Sequence, residues 1–256
     1  MALEIIFLII FFIFGAVMGS FFHVVATRMS RDESIVFPAS HCDKCNHKLK
    51  WYENIPIISY ILLKGKCSSC HSKIPISYLI VEIVTALLFA VCFHVFSFSF
   101  DLVIALIFVS SLIIVIVSDI EYMIILDEVL MFSSLVIVVL DILVLGLEEA
   151  AYHIYGGVGG FITMYALKIM GDKIFRKESL GGGDIKLLFL FGLVLGYAMS
   201  ICTIFLATFI AFPIALLLLF SNRENIIPFG PFLSMAAILI LISGINFQDI
   251  IVFMMG

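Results

Sequence analysis

The chain has 256 residues, of which 63% are hydrophobic and only 13% are charged. Soluble proteins are about half apolar and about one quarter charged, so a soluble globule of this length could not bury so much apolar surface. The composition excludes a soluble enzyme, a disordered chain and, with six clustered cysteines, a secreted disulfide scaffold. The net charge of −5 excludes a nucleic-acid partner, because no basic surface follows a phosphate backbone. The lipid bilayer is therefore the predicted solvent and partner.

Apolar segments near the length that crosses a bilayer, about 20 residues, recur along the chain. The first runs from Ile5 to Val25 and has no small-residue cleavage site after a basic start, so we expect a retained helix rather than a signal peptide. Seven more follow the polar region 26–77, at about 78–97, 102–118, 129–147, 150–170, 185–197, 198–220 and 229–243. The sequence predicts an all-α polytopic membrane protein with about eight transmembrane helices. Its predicted parts are a first transmembrane helix (1–25), a cytoplasmic loop domain (26–77) and a transmembrane bundle (78–256).

Basic residues are distributed unevenly between the two sides of this predicted bundle. If the loop 26–77 is cytoplasmic, the loops around 119–128, 171–184 and 221–228 are cytoplasmic as well. All 14 Lys and Arg residues then lie in or beside cytoplasmic loops, and the outer loops near 97–101 and 147–150 carry none. They are Arg28, Arg31, Lys44, Lys48, Lys50, Lys64, Lys66 and Lys73 in the first loop, and Lys168, Lys173, Arg176, Lys177, Lys186 and Arg223 elsewhere. The positive-inside rule places the N-terminus outside and the first loop in the cytoplasm.

Four cysteines of the first loop form two Cys-x2-Cys motifs, Cys42–Cys45 and Cys67–Cys70, separated by 21 residues. Paired motifs at such spacing supply four thiolates in a tetrahedron, which is typical of a structural zinc site. A loop domain this small usually needs a metal or another staple to hold its fold. Two redox pairs or two disulfides are the alternative, which the reducing cytoplasm disfavours. Three flanking histidines are expected to be solvated loop residues: His41, His47 and His71.

Two aspartates lie at the cytoplasmic ends of predicted spans. Asp119 ends the third span, and Asp184 follows three glycines and begins the sixth. Ionisable residues at membrane depth are costly, so they are candidates for function. At one level of the membrane, two carboxyl groups can share a proton, so that one acts as an acid while the other activates water. The pair indicates an aspartic peptidase.

Structural roles for these residues stay open at this point. Asp184 could instead cap its helix, and capping is the favoured interpretation of Asp127 at the start of the fourth span. Asp119 is at a helix C-terminus, where the helix dipole disfavours a carboxylate. The glycines before Asp184, including Gly181 and Gly183, are expected to allow close backbone approach and positive φ near an extended substrate.

Other residues of the bundle suggest packing rather than chemistry. Asp141 lies in the middle of a span with no evident partner, so it is expected to face the bundle interior or to be shifted outward. A cluster of small residues is predicted to allow close helix packing: Gly156, Gly157, Gly159 and Gly160.

The motifs of nearly the whole chain resemble those of the bacterial type IV prepilin peptidase family, in the same order. Gly181-Gly182-Gly183-Asp184 resembles the Gly-x-Gly-Asp signature of that family, and its combination with the double cysteine motif is highly specific. Further landmarks are Gly19-Ser20-Phe21, Glu33-Ser34, Ser40-His41-Cys42, Trp51-Tyr52-Glu53-Asn54-Ile55-Pro56 and Pro228-Phe229-Gly230-Pro231-Phe232. The chain departs from the family at His23, where Asn is usual, and at Leu126, where a proline often precedes the acidic residue.

The resemblance implies a bifunctional enzyme of the bacterial plasma membrane. As a peptidase it would cleave the short basic leader from prepilins and pseudopilins on the cytoplasmic side, with Asp119 and Asp184 as the catalytic pair. As a methyltransferase it would transfer a methyl group from S-adenosylmethionine to the new N-terminal amine, in the first cytoplasmic loop and the neighbouring helix ends. Residues that could support the substrate or the loop are Gly181, Gly183, Lys186, Asp127, Glu53 and Glu82.

Two alternatives compete with this interpretation. One is a peptidase without methyltransferase activity, in which the loop only docks the substrate. The other is a transporter in which Asp119, Asp184 and Lys186 line an ion path. Transporter sites lie near the bilayer midplane, so aspartates at the inner rim fit this alternative poorly.

Overall fold

The structure is a computed structural model that describes residues 2–176, 180–220, 228–245, 247–249 and 252, with the side chains of 218–220 left out. These residues form nine α-helices and one short 3-10 helix, and no β-strand occurs among them. The elements are α1 (Ala2–Met29), the 3-10 helix (Trp51–Asn54), α2 (Ile58–Leu62), α3 (Ile76–Phe96), α4 (Phe100–Tyr122), α5 (Asp127–Val144), α6 (Leu147–Phe175), α7 (Gly182–Leu195), α8 (Tyr197–Phe220) and α9 (Gly230–Ser243). The predicted all-α class is confirmed. The basic residues Lys177 and Arg223 lie outside the described residues.

Eight of these helices occupy the eight predicted apolar segments, and α2 is a short helix of the first loop. Four of them are long and apolar enough to cross a bilayer: α1, α3, α4 and residues 197–217 of α8. The helices α7 and α9 have 14 residues each, fewer than the roughly 20 that span the hydrocarbon core. The structure therefore supports a multi-pass membrane protein, and eight full spans stay a prediction.

The chain divides into two compact units, Met1–Leu102 and Val103–Gly256. In the first unit α1 packs along α3 through small residues. A Cβ added to Gly15 would lie 2.7 Å from the carbonyl oxygen of Thr85, and one added to Gly19 would lie 2.9 Å from the Thr85 Cβ. The rings of Phe11 and Phe93 stack at 4.7 Å beside this contact. Close backbone approach of this kind stabilises helix pairs in lipid, where the hydrophobic effect between helices is weak.

In the second unit α7 is the central helix and contacts α5, α6, α8 and α9. Glycines of α6 allow the closest of these approaches. A Cβ on Gly156 would lie 2.5 Å from the Gly192 carbonyl oxygen, and one on Gly160 would lie 2.6 Å from that of Leu188. The predicted packing role of the α6 glycines is confirmed. This packing holds α7, whose first turn carries Asp184, against α6.

Asp141 has a partner that its sequence context does not reveal. Its side chain is buried in α5, as expected for a residue that faces the bundle interior. The Oδ2 atom lies 2.8 Å from Nδ1 of His153 on α6. The expectation of an unpaired Asp141 is therefore wrong, because the hairpin between the two helices brings together residues that lie 12 positions apart.

Candidate active site

Asp119 and Asp184 lie close together in the second unit. Asp119 is in the last turn of α4, and Asp184 is in the first turn of α7. Each residue is only 6% exposed. The two carboxyl groups are close enough for their charges to interact. The structure thus brings together the two aspartates that the sequence singled out.

The start of α7 differs from the sequence-based alternatives. Its N-cap is Gly181 with φ −67°, so Asp184 does not cap the helix. The described glycines with positive φ are Gly65, Gly146, Gly196 and Gly244, so the expected positive φ before Asp184 is wrong. Among the described residues, Oδ1 of Asp184 is buried without a hydrogen-bond partner. Such an oxygen is unusual in a folded protein and is a candidate for contact with water or substrate.

Two glycines that adjoin the aspartates enclose the side chain of Ile125. A Cβ added to Gly183 would lie 2.6 Å from the Ile125 Cβ. A Cβ added to Gly230, the first residue of α9, would lie 3.2 Å from the Ile125 Cδ1 and 2.5 Å from Oδ2 of Asp119. Sequence reasoning missed Ile125 entirely and noted Gly230 only as part of a family landmark. Neither contact has a local signal, because each joins residues far apart in the chain.

Asp127 and Lys186 form an ion pair between Oδ2 and Nζ, and both side chains are about half exposed. Asp127 is the first helical residue of α5, and the N-cap is Leu126. The favoured capping interpretation of Asp127 is therefore wrong. The pair joins the start of α5 to the first turns of α7, two residues beyond Asp184.

The four loop cysteines form one cluster, in which all Sγ atoms lie within 4.8 Å of one another. The Sγ distances are 3.8 Å for Cys42–Cys70 and 3.9 Å for Cys45–Cys67. A tetrahedral zinc site with Zn–S bonds of about 2.3 Å requires S–S distances of about 3.8 Å. A disulfide would require about 2.0 Å. The cluster therefore fits a zinc site, and the alternative of two disulfides does not fit it.

The two cysteine motifs have the same backbone conformation. Each ends in a residue of positive φ, 55° at both Asn46 and His71. Each is closed by an isolated antiparallel bridge, His41–Lys48 in the first and Lys66–Lys73 in the second. The repetition faces two thiols of one motif against two of the other, as a four-ligand site requires.

Backbone donors within these motifs favour the thiolate form. N–H groups of Lys44 and Cys45 lower the pKa of Cys42 to about 6. The Ser72 hydroxyl and N–H group lower the pKa of Cys70. At Cys45 a hydrogen bond from the His47 N–H lowers the pKa, but burial and the neighbouring thiols raise it overall, to about 12. Metals bind the thiolate rather than the thiol, so the donors favour the metal-binding form at Cys42 and Cys70.

Glu53 is a buried carboxylate of the loop. It accepts a hydrogen bond of 2.7 Å from the N–H of Lys50, and its Oε2 lies 3.4 Å from Nε2 of His47. The hydrogen bond from Lys50, followed by one from Ser68, lowers the pKa of Glu53. His47 is therefore a partly exposed loop residue that pairs with Glu53.

Glu82 connects the loop to the membrane helices of the first unit. It is buried in α3, and its Oε2 accepts a 2.6 Å hydrogen bond from the N–H of Ile57. Ile57 has φ +63°, which is rare for a β-branched residue and needs support from its surroundings. Glu82 provides part of that support through its hydrogen bond to the Ile57 N–H.

Two family models match the chain in succession. The bacterial peptidase A24 N-terminal domain matches residues 13–96, and the type IV leader peptidase family matches residues 106–216. No solved structure matches the chain.

Several curated relatives carry the name prepilin leader peptidase/N-methyltransferase. The protein of Bacillus subtilis is 34% identical over 238 residues, which are 92% of this chain and 94% of the relative. That of Pseudomonas aeruginosa is 30% identical over 82% of this chain and 73% of the relative. That of Myxococcus xanthus is 35% identical over 73% of this chain, but the match spans only 56% of that longer protein. The similarity to the Bacillus subtilis protein extends over nearly the full length of both proteins, so the chain belongs to the type IV leader peptidase family.

Proposed function

We propose that this chain cleaves the basic leader of prepilins and pseudopilins at the cytoplasmic face of the bacterial plasma membrane and methylates the new N-terminus. The observation that carries the peptidase activity is the juxtaposition of two buried carboxyl groups, Asp119 and Asp184. Membership of the family and the matching names of its relatives support both activities.

Two adjacent carboxyl groups can hold one proton between them, so that one acts as an acid and the other as a base in peptide hydrolysis. The ionised carboxyl accepts a proton from a water molecule as the water oxygen attacks the scissile carbonyl carbon. The protonated carboxyl donates its proton to the carbonyl oxygen, and a tetrahedral intermediate forms. The carboxyl that took the proton from water then donates it to the leaving amine, and the other carboxylate takes a proton from a hydroxyl of the intermediate. The C–N bond breaks, and both carboxyl groups return to their starting states. The unpartnered Oδ1 of Asp184 is available to hold the attacking water.

Asp127 is the competing partner for Asp184, and its environment argues against it. Its carboxylate is half exposed and neutralised by Lys186. A catalytic carboxyl must exchange protons with water and substrate, whereas the Asp127 carboxylate is bound to the Lys186 ammonium. The buried Asp119 beside Gly230 fits the role better.

We place methyl transfer in residues 26–77 and the adjoining helix ends, and peptide cleavage in residues 78–256. S-adenosylmethionine is the proposed methyl donor, and its sulfonium group supplies an activated methyl when it is bound. The neutral N-terminal amine of the cleaved pilin would accept that methyl and then lose a proton. Two buried carboxylates of this region, Glu53 and Glu82, are available to orient an amine or the loop.

Zinc is proposed as a structural ion of the same loop. Its four ligands would be Cys42, Cys45, Cys67 and Cys70, whose mutual distances fit a tetrahedron. A bound zinc ion would supply a fixed centre that holds the two motifs together. The chain's own backbone donors around Cys42 and Cys70 stabilise the charged thiolates.

The decisive experiment incubates the purified full-length protein with a full-length prepilin, with and without S-adenosylmethionine, and measures the product mass. We expect loss of the leader in both reactions and the added mass of one methyl group only with the donor present. Cleavage without methylation would reduce the assignment to a peptidase. An intact prepilin under both conditions would refute the proposed function.

A further inference from the structure

The segment 123–127 runs from the end of α4 to the first residue of α5 and carries Ile125 at its centre. Ile125 is half-buried, and its side chain contacts the first turns of two other helices. One contact is with Gly183 of α7, and the other is with Gly230 of α9. Residues of three separate segments therefore meet at one aliphatic side chain.

Each of the two glycines adjoins one carboxyl group of the aspartate pair. Gly183 directly precedes Asp184 in the chain, and Gly230 lies against Oδ2 of Asp119. Ile125 itself lies six residues beyond Asp119. The side chain of Ile125 is thus packed between the backbone that carries the Asp184 carboxyl and the glycine that contacts the Asp119 carboxyl.

The three glycines before Asp184 are not equivalent in this packing. A Cβ on Gly182 would meet nothing within 4 Å, and one on Gly181 would meet only Oδ2 of Asp184, at 3.4 Å. A Cβ on Gly183 would lie 2.6 Å from Cβ, 2.8 Å from Cδ1 and 3.1 Å from Cγ1 of Ile125. Only at Gly183 would a side chain force the two segments apart.

A second contact holds the same two segments. The ion pair of Asp127 with Lys186 lies two residues beyond Ile125 on one segment and three residues beyond Gly183 on the other. Leu126, between Ile125 and Asp127, is buried. The segment 123–127 is therefore held against α7 at successive positions, and a change in the size of residue 125 would shift the segment rather than only its side chain.

We propose that Ile125 is a positioning residue whose size, matched to the absent side chains of Gly183 and Gly230, sets the separation of Asp119 and Asp184. The inference rests on the proposed peptidase function and extends it to an aliphatic residue that has no acid–base group of its own. Acid–base catalysis depends on placement to within a fraction of an ångström, so a shift of about 1 Å lowers the rate on the order of a hundredfold.

The test compares Gly183→Ala with its matched control Gly182→Ala, both in the full-length protein with prepilin as substrate. A Cβ at 2.6 Å must move by about 1 Å to reach ordinary contact distance, so we expect Gly183→Ala to lower kcat on the order of a hundredfold. KM should stay within about twofold, since Ile125 positions the acids rather than the substrate. Gly182→Ala should retain the parental kcat and KM.

Rescue distinguishes a specific contact from a general effect of alanine on the helix start. In the Gly183→Ala background, Ile125→Ala removes the Cδ1 and Cγ1 atoms that would lie 2.8 and 3.1 Å from the new Cβ, but it keeps the Ile125 Cβ position at 2.6 Å. Ile125→Gly removes all three atoms. We therefore expect kcat to rise in the order Gly183→Ala alone, with Ile125→Ala, and with Ile125→Gly. Equal rates for the three variants would overturn the proposal, as would a parental rate for Gly183→Ala.

Ile125→Val keeps the test informative if Gly183→Ala does not fold, as judged by thermal unfolding in detergent. Valine lacks Cδ1, the atom that meets both glycines, and it is too small a change to unfold the protein. We expect kcat to fall on the order of tenfold, while the thermal midpoint stays within a few degrees of the parental value. A folded Ile125→Val enzyme with the parental kcat would also overturn the proposal. Failure of the parental chain to cleave prepilin would instead refute the proposed function.

Discussion

Replacement of either buried aspartate by asparagine tests the proposed chemistry most directly. Asp119→Asn and Asp184→Asn remove the titratable group with almost no change in size. Each side chain is only 6% exposed, so bulk water cannot easily substitute for the lost acid or base. One positioned acid or base contributes roughly 10²- to 10⁴-fold in rate, so we expect each change to lower kcat by that factor. The corresponding rise in the activation barrier is about 3 to 5 kcal/mol.

The assay is single-turnover cleavage of a full-length prepilin by purified enzyme. Asp101→Asn is the matched control, because Asp101 is an exposed aspartate in the first turn of the same helix α4. The two losses should not add in the double variant, since the carboxyl groups act as one unit. A parental rate for Asp119→Asn, combined with a large loss for Asp127→Asn, would show that Asp127 is the true partner of Asp184.

The same variants separate the two proposed activities. Methyl transfer to an amine needs no activated water, and we place it in the other compact unit of the chain. A pre-cleaved pilin supplied to Asp119→Asn or Asp184→Asn should therefore be methylated at the parental rate. Loss of methylation by both variants, while each remains folded, would show that the activities share one site.

Three further predictions concern the loop and the orientation of the chain. Elemental analysis should find about one zinc per chain, and the double change Cys42→Ser and Cys67→Ser should abolish it; stoichiometric zinc in that variant would exclude the four-cysteine site. The lowered pKa of Glu53 stabilises the folded loop above the ordinary glutamate pKa of about 4.3, and this stabilisation is lost as the pH falls through the lower pKa of the folded state. Protease resistance of the loop should therefore fall on acidification, with a weaker pH dependence in Glu53→Gln; an identical dependence would show that Glu53 contributes nothing. An impermeant thiol label on intact cells should reach a cysteine at Glu148 and miss one at Lys173, and the reverse would invert the predicted topology.

Helix positions were largely predictable because hydropathy is a local property of the chain. A run of apolar residues must satisfy its backbone groups internally in lipid, so it forms a helix whatever its neighbours are. Each of the eight predicted segments accordingly contains a helix, and the boundaries differ by only a few residues. The number of complete spans is harder to predict, because short helices such as α7 and α9 depend on packing against others for their depth.

The zinc-type cluster and the aspartate pair could also be anticipated from sequence. Paired Cys-x2-Cys motifs leave few arrangements other than a shared tetrahedron, and the structure places all four thiols within 4.8 Å. Asp119 and Asp184 are expected at one level because Asp119 ends one span and Asp184 begins another on the same predicted side of the membrane. Alternation of the spans across the bilayer is a constraint that sequence alone imposes.

Only the tertiary structure decided which partners these residues meet. From sequence Asp127 is a candidate helix cap, but in the structure Leu126 is the N-cap and Asp127 pairs with Lys186, 59 residues away. The sequence indicates no partner for Asp141, whereas in the structure the packing of α5 against α6 brings His153 to it. The role of Gly183 depends on Ile125, which no motif marks. Such contacts are steric and electrostatic matches between distant segments, so they depend on how the helices pack and have no periodicity or spacing that a sequence could display.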